Sequence, residues 1–150
     1  NVFSGYWQMP EKTQEEFTPD GFFRTGDMGR FDADGYLAII GRDKDLIITG
    51  GLNVYPKEIE EAIDTLPGVA ESAVIGLPHP DFGEAVTAVV VRGRDASGLT
   101  AEGIIAALKG NIAGFKVPKA VHFVDDLPRN AMGKVQKNLL REQHRALFAR

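Results

Sequence analysis

The clearest periodicity lies in the middle of the chain. Ile59, Ala62, Ile63 and Leu66 recur at helical spacing, with Pro56 at the first helical position, Glu58, Glu60 and Glu61 in the first turns, and Pro67-Gly68 as the stop; the pattern predicts a helix from about Pro56 to Leu66. Val69 to Leu77 and Glu84 to Arg92 are dominated by β-branched residues and separated by turn residues, which predicts two strands. Thr100 to Asn111 reads as a second helix, capped by Thr100, with Ile104, Ile105, Leu108 and Ile112 on one face. Lys119 to Val124 is a third strand. Gln136 to Phe148 is a closing helix carrying Leu139, Leu140, Ala146 and Leu147. Ahead of these, Leu46 to Thr49 is a short β run that ends at Gly50-Gly51. Strands alternating with helices in this way predict a small α+β or α/β sandwich.

Residues 1–41 have another character, rich in aromatic and turn residues. Phe22 to Thr25 and Tyr36 to Ile40 read as short strands on either side of an Asp34-Gly35 turn, and Thr13 to Phe17 as one helical turn with Thr13 as its cap. This is too little to fold alone. The expected organisation is α+β throughout, with residues 1–41 as the β-rich edge of a preceding domain and residues 42–150 as a compact domain whose short mixed sheet is flanked by helices. The chain opens Asn1-Val2-Phe3, with neither Met nor a charged leader before an apolar run. A fragment of a longer protein is therefore expected.

Composition narrows the chemistry. The 150 residues carry 17 Lys+Arg against 21 Asp+Glu, a formal charge of −4, and include 43% hydrophobic residues. A chain of this length buries about two-thirds of its unfolded surface and can build a core without staples. There is no cysteine, so a thiolate nucleophile, a disulfide framework and a cysteine-ligated metal are excluded. A mildly acidic chain without a long basic run is a poor fit to duplex DNA. The apolar stretch Ala85 to Val91, interrupted by Thr87, is far too short to span a membrane. A cytoplasmic location is the expectation.

Four short segments could carry chemistry. In Arg24-Thr25-Gly26-Asp27 a strand closes in a tight turn that leaves a carboxylate at its tip, either as an ordinary Asx turn or as an acceptor for the two hydroxyls of a ribose. Gly41-Arg42-Asp43-Lys44-Asp45 is a solvated connection or, with Arg42 as a planar donor fork, a contact to ribose or phosphate. Gly50-Gly51 has no Gly-Lys-Ser/Thr after it and is not a Walker-type loop; it is either a strand-to-helix turn or a place where backbone approaches a ligand closely. Pro128 to Lys134 sets a glycine before a lysine, fixing the direction of a charge that could neutralise a phosphate or carboxylate. His79, His122 and His144 lie in separate segments without metal-ligand spacing and are not read as bases or ligands.

The order of these segments is more specific than any one of them. Gly5-Tyr6 with Pro10-Glu11-Lys12-Thr13, then Arg24 to Asp27, Gly41 to Asp45, Gly50-Gly51-Leu52-Asn53-Val54-Tyr55-Pro56-Lys57-Glu58-Ile59-Glu60, and Pro128 to Lys134 follow one another along essentially the whole chain. In this order the chain resembles the C-terminal part of the adenylate-forming superfamily of acyl-CoA synthetases, adenylation domains and luciferases. Around Asn53 to Pro56 and Leu127 to Asn138 the wording is most similar to malonyl-CoA synthetases.

The resemblance implies a two-step ligase: a carboxylic acid and Mg-ATP give an acyl adenylate, and CoA then displaces AMP. By position it implies that Asp27 and Arg42 hold the ribose, Lys134 bridges carboxylate and ATP, Lys44 is a hinge, and Gly50, Gly51 and Leu52 line the pantetheine path. It further implies Mg2+ ligands, an adenine pocket and an acid pocket in an N-terminal domain outside these residues, and reversible acylation of Lys134 by a lysine acyltransferase and deacylase. Two alternatives stand beside it: an adenylation domain serving a carrier-protein pantetheine, and a stand-alone binding module built on the glycine loop. Acidic charge and the lack of stacking aromatics near Gly50 count against nucleic acid for the latter.

Overall fold

The computed structural model describes residues 1–149, and these form two compact units, Asn1–Lys44 and a second that begins at Asp45. Gly41 and Arg42 belong to the first unit because they end a strand paired within it.

The first unit opens with α1 (Pro10–Glu16). Thr13 does not cap this helix. It lies inside it, where its hydroxyl donates to the Met9 carbonyl and accepts from the Tyr6 N–H, both at 2.9 Å, tying the preceding loop down. Phe22 to Thr25 forms no strand; a single bridge links Phe17 and Phe23, whose rings pack with Phe3. The hairpin is instead made by β1 (Asp27–Phe31) and β2 (Leu37–Arg42). Its turn is the expected one. Asp32 Oδ1 accepts from the N–H groups of Asp34 and Tyr36, and Gly35 takes φ of 84°. The last residues of β2 run into a 3-10 turn, Asp43–Asp45, which carries the chain into the second unit.

The second unit is a sheet covered on both faces. Its elements are β3 (Ile47–Thr49), β4 (Leu52–Val54), α2 (Pro56–Asp64), β5 (Val69–His79), β6 (Gly83–Arg92), α3 (Ala101–Lys109), β7 (Ala120–Val124) and α4 (Lys137–Gln143). β5 and β6 pair antiparallel along their whole length. The opposite edge of β6 is shared: β7 runs parallel to Thr87–Val91, and β3 touches it at one pair, Thr49 with Gly83.

Alternation along β5 and β6 builds two cores. Val74, Val86, Ala88 and Val90 pack with Ile47, Ile59, Ile63, Ile104 and Leu108 under α2 and α3. Ala73, Ile75, Leu77 and Val89 pack with Leu127 and Leu140 on the face that α4 covers. Burial on both sides is why Ala85 to Val91 reads as one apolar run and not as an alternation. Thr87, the interruption, is fully buried and turns its hydroxyl to the Ala85 carbonyl.

In the second unit, helix chemistry follows the sequence except at the end of α4. Thr100 caps α3 by accepting from the Gly103 N–H at 3.0 Å. α4 ends at Gln143, well before Phe148. Bonds between residues three apart (Leu147 N–H to His144, Ala149 N–H to Ala146) tighten the chain there and turn Phe148 back on to the His79 ring. Arg141 pairs with Asp45 at 2.8 Å, holding the first residue of this unit to α4. The outer edge of β5 is closed by α2, whose Glu60 accepts from the Val74 N–H at 2.7 Å and also pairs with Lys137. Among the described residues no helix is long and apolar enough to cross a membrane.

Ile63 is fully buried between α2 and the sheet, so Ile63→Ala should cost about 2–5 kcal/mol of stability in denaturant unfolding.

Candidate functional site

Each segment singled out in the sequence takes a defined local form. Thr25 Oγ1 accepts from the Asp27 N–H at 3.1 Å, and Gly26 takes φ of 70°. This turn opens β1; it does not close a strand. Asp27 therefore starts β1 directly opposite Arg42, the last residue of β2. Arg42 Nε stands 3.2 Å from Asp27 Oδ1, with the aspartate about a quarter exposed and the arginine nearly half. The 14 residues between them in sequence are closed by the hairpin, and the pair leaves a second carboxylate oxygen and the two Nη groups for a polyhydroxyl or anionic ligand. Lys44 sits exposed in the 3-10 turn that follows.

The glycine pair is the tip of a β-hairpin, not a strand-to-helix turn. Leu52 to Val54 returns as β4, and the register sets Thr49 against Leu52 with only Gly50 and Gly51 between. Both have positive φ, 55° and 78°, as a type I′ turn requires. A Cβ at either would meet nothing within 4 Å, so backbone conformation, not crowding, demands glycine here. The tip is bare backbone flanked by Ile48 and Leu52, each about half exposed. Its seat is the β5–β6 turn, where the Gly50 N–H donates to the Phe82 carbonyl at 2.8 Å.

Lys134 stands on a second built turn. Asn130 Oδ1 accepts from the N–H groups of Met132 and Lys134 at 3.0 and 2.9 Å, the Gly133 N–H donates to the Asn130 carbonyl, and Gly133 takes φ of 78°. Arg129 joins this turn to the sheet: one Nη donates to the Gly133 carbonyl at 2.8 Å and the other pairs with Glu71 near the start of β5. Lys134 itself is exposed and has no ion-pair partner among the described residues. The lysine turn is thus tethered near one end of β5 and the glycine hairpin seated at the other. The strand between Glu71 and His79 is about 26 Å long at ~3.3 Å per residue.

The fold brings Asp27 and Arg42 together within the first unit and keeps the glycine hairpin and Lys134 apart within the second. Arg129 and Asn130 carry the lysine turn, yet only the Gly133-Lys134 step signalled it in sequence. An Asn three residues before a Gly-Lys step is the local mark of this turn; the Glu71 partner has none. An open groove of about 1240 Å³ in the first unit, lined by Tyr6, Trp7, Phe17 and Arg24 among others, contains none of the expected site residues. No group of three or more His, Asp or Glu gathers among the described residues to hold a metal ion.

The histidines depart from their isolated places in the sequence. His122 on β7 stacks on His144, at the end of α4, with ring centroids 4.8 Å apart and planes 27° from parallel. Burial first, and His122 second, lower the His144 pKa below its ordinary 6.5.

The chain belongs to the AMP-binding enzyme C-terminal domain family, whose model matches residues 58–134. It is 49% identical over 143 residues to 3-[(3aS,4S,7aS)-7a-methyl-1,5-dioxo-octahydro-1H-inden-4-yl]propanoyl:CoA ligase of Rhodococcus jostii, covering 95% of this chain and 28% of the relative. It is 48% identical over 141 residues to the long-chain-fatty-acid–CoA ligase FadD13 of Mycobacterium tuberculosis, covering 94% and 27%. Among solved structures, ATP-bound MatB from Rhodopseudomonas palustris superimposes with a TM-score of 0.90 at 61% identity, over 99% of this chain and 29% of that one. The chain therefore spans little more than a quarter of the length of these relatives.

Because the folded state resists protonating His144, the unfolded chain takes up that proton first. The stabilising contribution is complete above about pH 6.5 and is lost as pH falls through the lowered folded value. In thermal melts His144→Gln should flatten the fall of Tm from about pH 7.5 to about pH 5 relative to the unaltered protein.

Proposed function

We propose that this chain is the C-terminal part of an ATP-dependent acid–thiol ligase of the acyl-CoA synthetase type. Residues 1–41 are the edge of its large N-terminal domain, and the mobile lid begins at the connection from Arg42 to Lys44. The observation that carries the reading is the separation of two differently built loops, a charged one and a bare-backbone one, at opposite ends of β5. A two-step reaction needs these two kinds of contact at different times.

In the first step a carboxylate oxygen attacks the α-phosphorus of Mg-ATP and pyrophosphate leaves. Two anions must meet, and Lys134 stabilises the charge that builds between them without becoming a nucleophile. Asp27, held by Arg42, accepts from the ribose hydroxyls, and the remaining guanidinium donors face the same sugar. In the second step the thiol sulfur of CoA attacks the acyl carbon, AMP leaves with the bonding electrons, and the thiol proton passes to solvent or to the departing phosphate. The Gly50-Gly51 tip, with no side chain to obstruct and with Leu52 beside it, lines the path of the narrow pantetheine arm. Lys44 is the hinge about which the lid exchanges one loop for the other.

Malonate, or its methyl derivative methylmalonate, is the acid proposed. The segments around Asn53 to Pro56 and Leu127 to Asn138 support that choice, as does 61% identity to MatB beside 45–49% to ligases of bulkier acids. The exposure of Lys134 also suits reversible acylation, which would remove its charge; mass spectrometry of cell-derived protein should find a modified fraction at Lys134.

In the full-length enzyme, Lys134→Ala should slow ATP–pyrophosphate exchange by about 10²–10³-fold while sparing thioester formation from supplied acyl adenylate. Gly51→Leu should do the reverse, since it forces a side chain on to a positive φ and into the path of the thiol. Equal loss of both half-reactions in either variant refutes the division of labour. The isolated 150-residue chain should form no thioester. In a panel of acids scored by pyrophosphate release, malonate should lead.

A further inference from the structure

We propose that Glu84, a residue that touches neither substrate nor cofactor in the scheme above, is the positioning residue of the glycine hairpin. The inference rests on the proposed role of that hairpin in thioester formation. β3 reaches β6 through a single backbone pair, Thr49 with Gly83, and the tip adds only the bond from the Gly50 N–H to Phe82. Both backbone contacts lie at the extreme tip, while the base of the hairpin is held only by the apolar packing of Ile47 and Val54 in the core. The next N–H along β3, that of Ile48, is taken by a side chain: it donates to Glu84 Oε2 at 2.8 Å. This third point, one residue further from the tip, fixes the angle of the hairpin against β6.

The neighbouring strand is shaped to admit the carboxylate. A Cβ on Gly76 would stand 2.6 Å from Glu84 Oε1 and 3.0 Å from Ile47 Cγ2. The φ of Gly76 is not positive, so its glycine is a matter of space. The carboxylate lies over bare backbone, wedged beside β3. Among the ion pairs of the described residues none includes Glu84. Its hydrogen-bond partner is the hairpin's own backbone, which is the arrangement of a brace and not of a surface charge.

The test uses the full-length enzyme and both half-reactions. Glu84→Ala should slow thioester formation from acyl adenylate and CoA roughly tenfold or more, as expected for a misplaced contact surface, with ATP–pyrophosphate exchange unchanged within about twofold. Glu84→Gln, whose amide oxygen still accepts from Ile48, should restore most of the loss. Gly76→Ala, which keeps the charge but displaces the carboxylate, should reproduce the defect of Glu84→Ala. The double variant should be no worse than either single one, because both act through the same contact. Equal loss in the two half-reactions, no restoration by Gln, or additive losses in the double variant would overturn the inference. If the unaltered enzyme shows no acid-dependent ATP–pyrophosphate exchange, the proposed function itself fails, and this inference with it.

Discussion

A strand has two edges, and in the second unit almost everything follows from how β6 spends its own. One edge is given entirely to β5, and the ten-residue antiparallel pair so formed is covered by helices on both faces. The other edge is divided between β7 and a single residue pair with β3. Because β7 takes Thr87 to Val91, β3 can join only at the very start of β6. The hairpin that carries Gly50 and Gly51 is thereby seated at the turn and nowhere else. At the far end of the same pair, Glu71 receives Arg129 and with it the lysine turn. The distance between the two loops is a property of the central pair and of neither loop.

The loops also differ in what fixes them. The lysine turn is closed locally by Asn130 and Gly133, and Arg129 both donates to its Gly133 carbonyl and ties it to Glu71. The glycine hairpin owes its tip to two positive φ values and its orientation to contacts from β6. The turn beneath Lys134 is thus built largely from its own sequence. A backbone surface is instead oriented by the sheet beneath it. In the first unit, Asp27 and Arg42 follow a third course, since opposite places in one hairpin suffice to join them.

Much of the second unit was legible because burial writes itself into sequence. Pro56 with its following acids marked α2, Thr100 marked the start of α3, and the run Ala85 to Val91 marked a strand covered on both faces. β1 was missed for the converse reason: its outer residues are exposed, so no apolar alternation records it. β4 was missed because three residues carry too little pattern to separate a returning strand from a turn. The candidate residues Asp27, Arg42, Gly50, Gly51 and Lys134 could be picked out by type and by their order along the chain. Their supports could not. Glu84 lies 36 residues from Ile48, and Arg129 lies 58 from Glu71, and no local spacing announces such pairs.

The closure of β5 by α2 has a colloidal consequence. An open ladder of N–H and C=O groups on an exposed edge strand invites a second chain to add itself. Here Glu60 occupies the Val74 N–H, and at the other margin β4 is only three residues long. The second unit therefore carries, at both margins of its sheet, features of its own that work against edge-to-edge association.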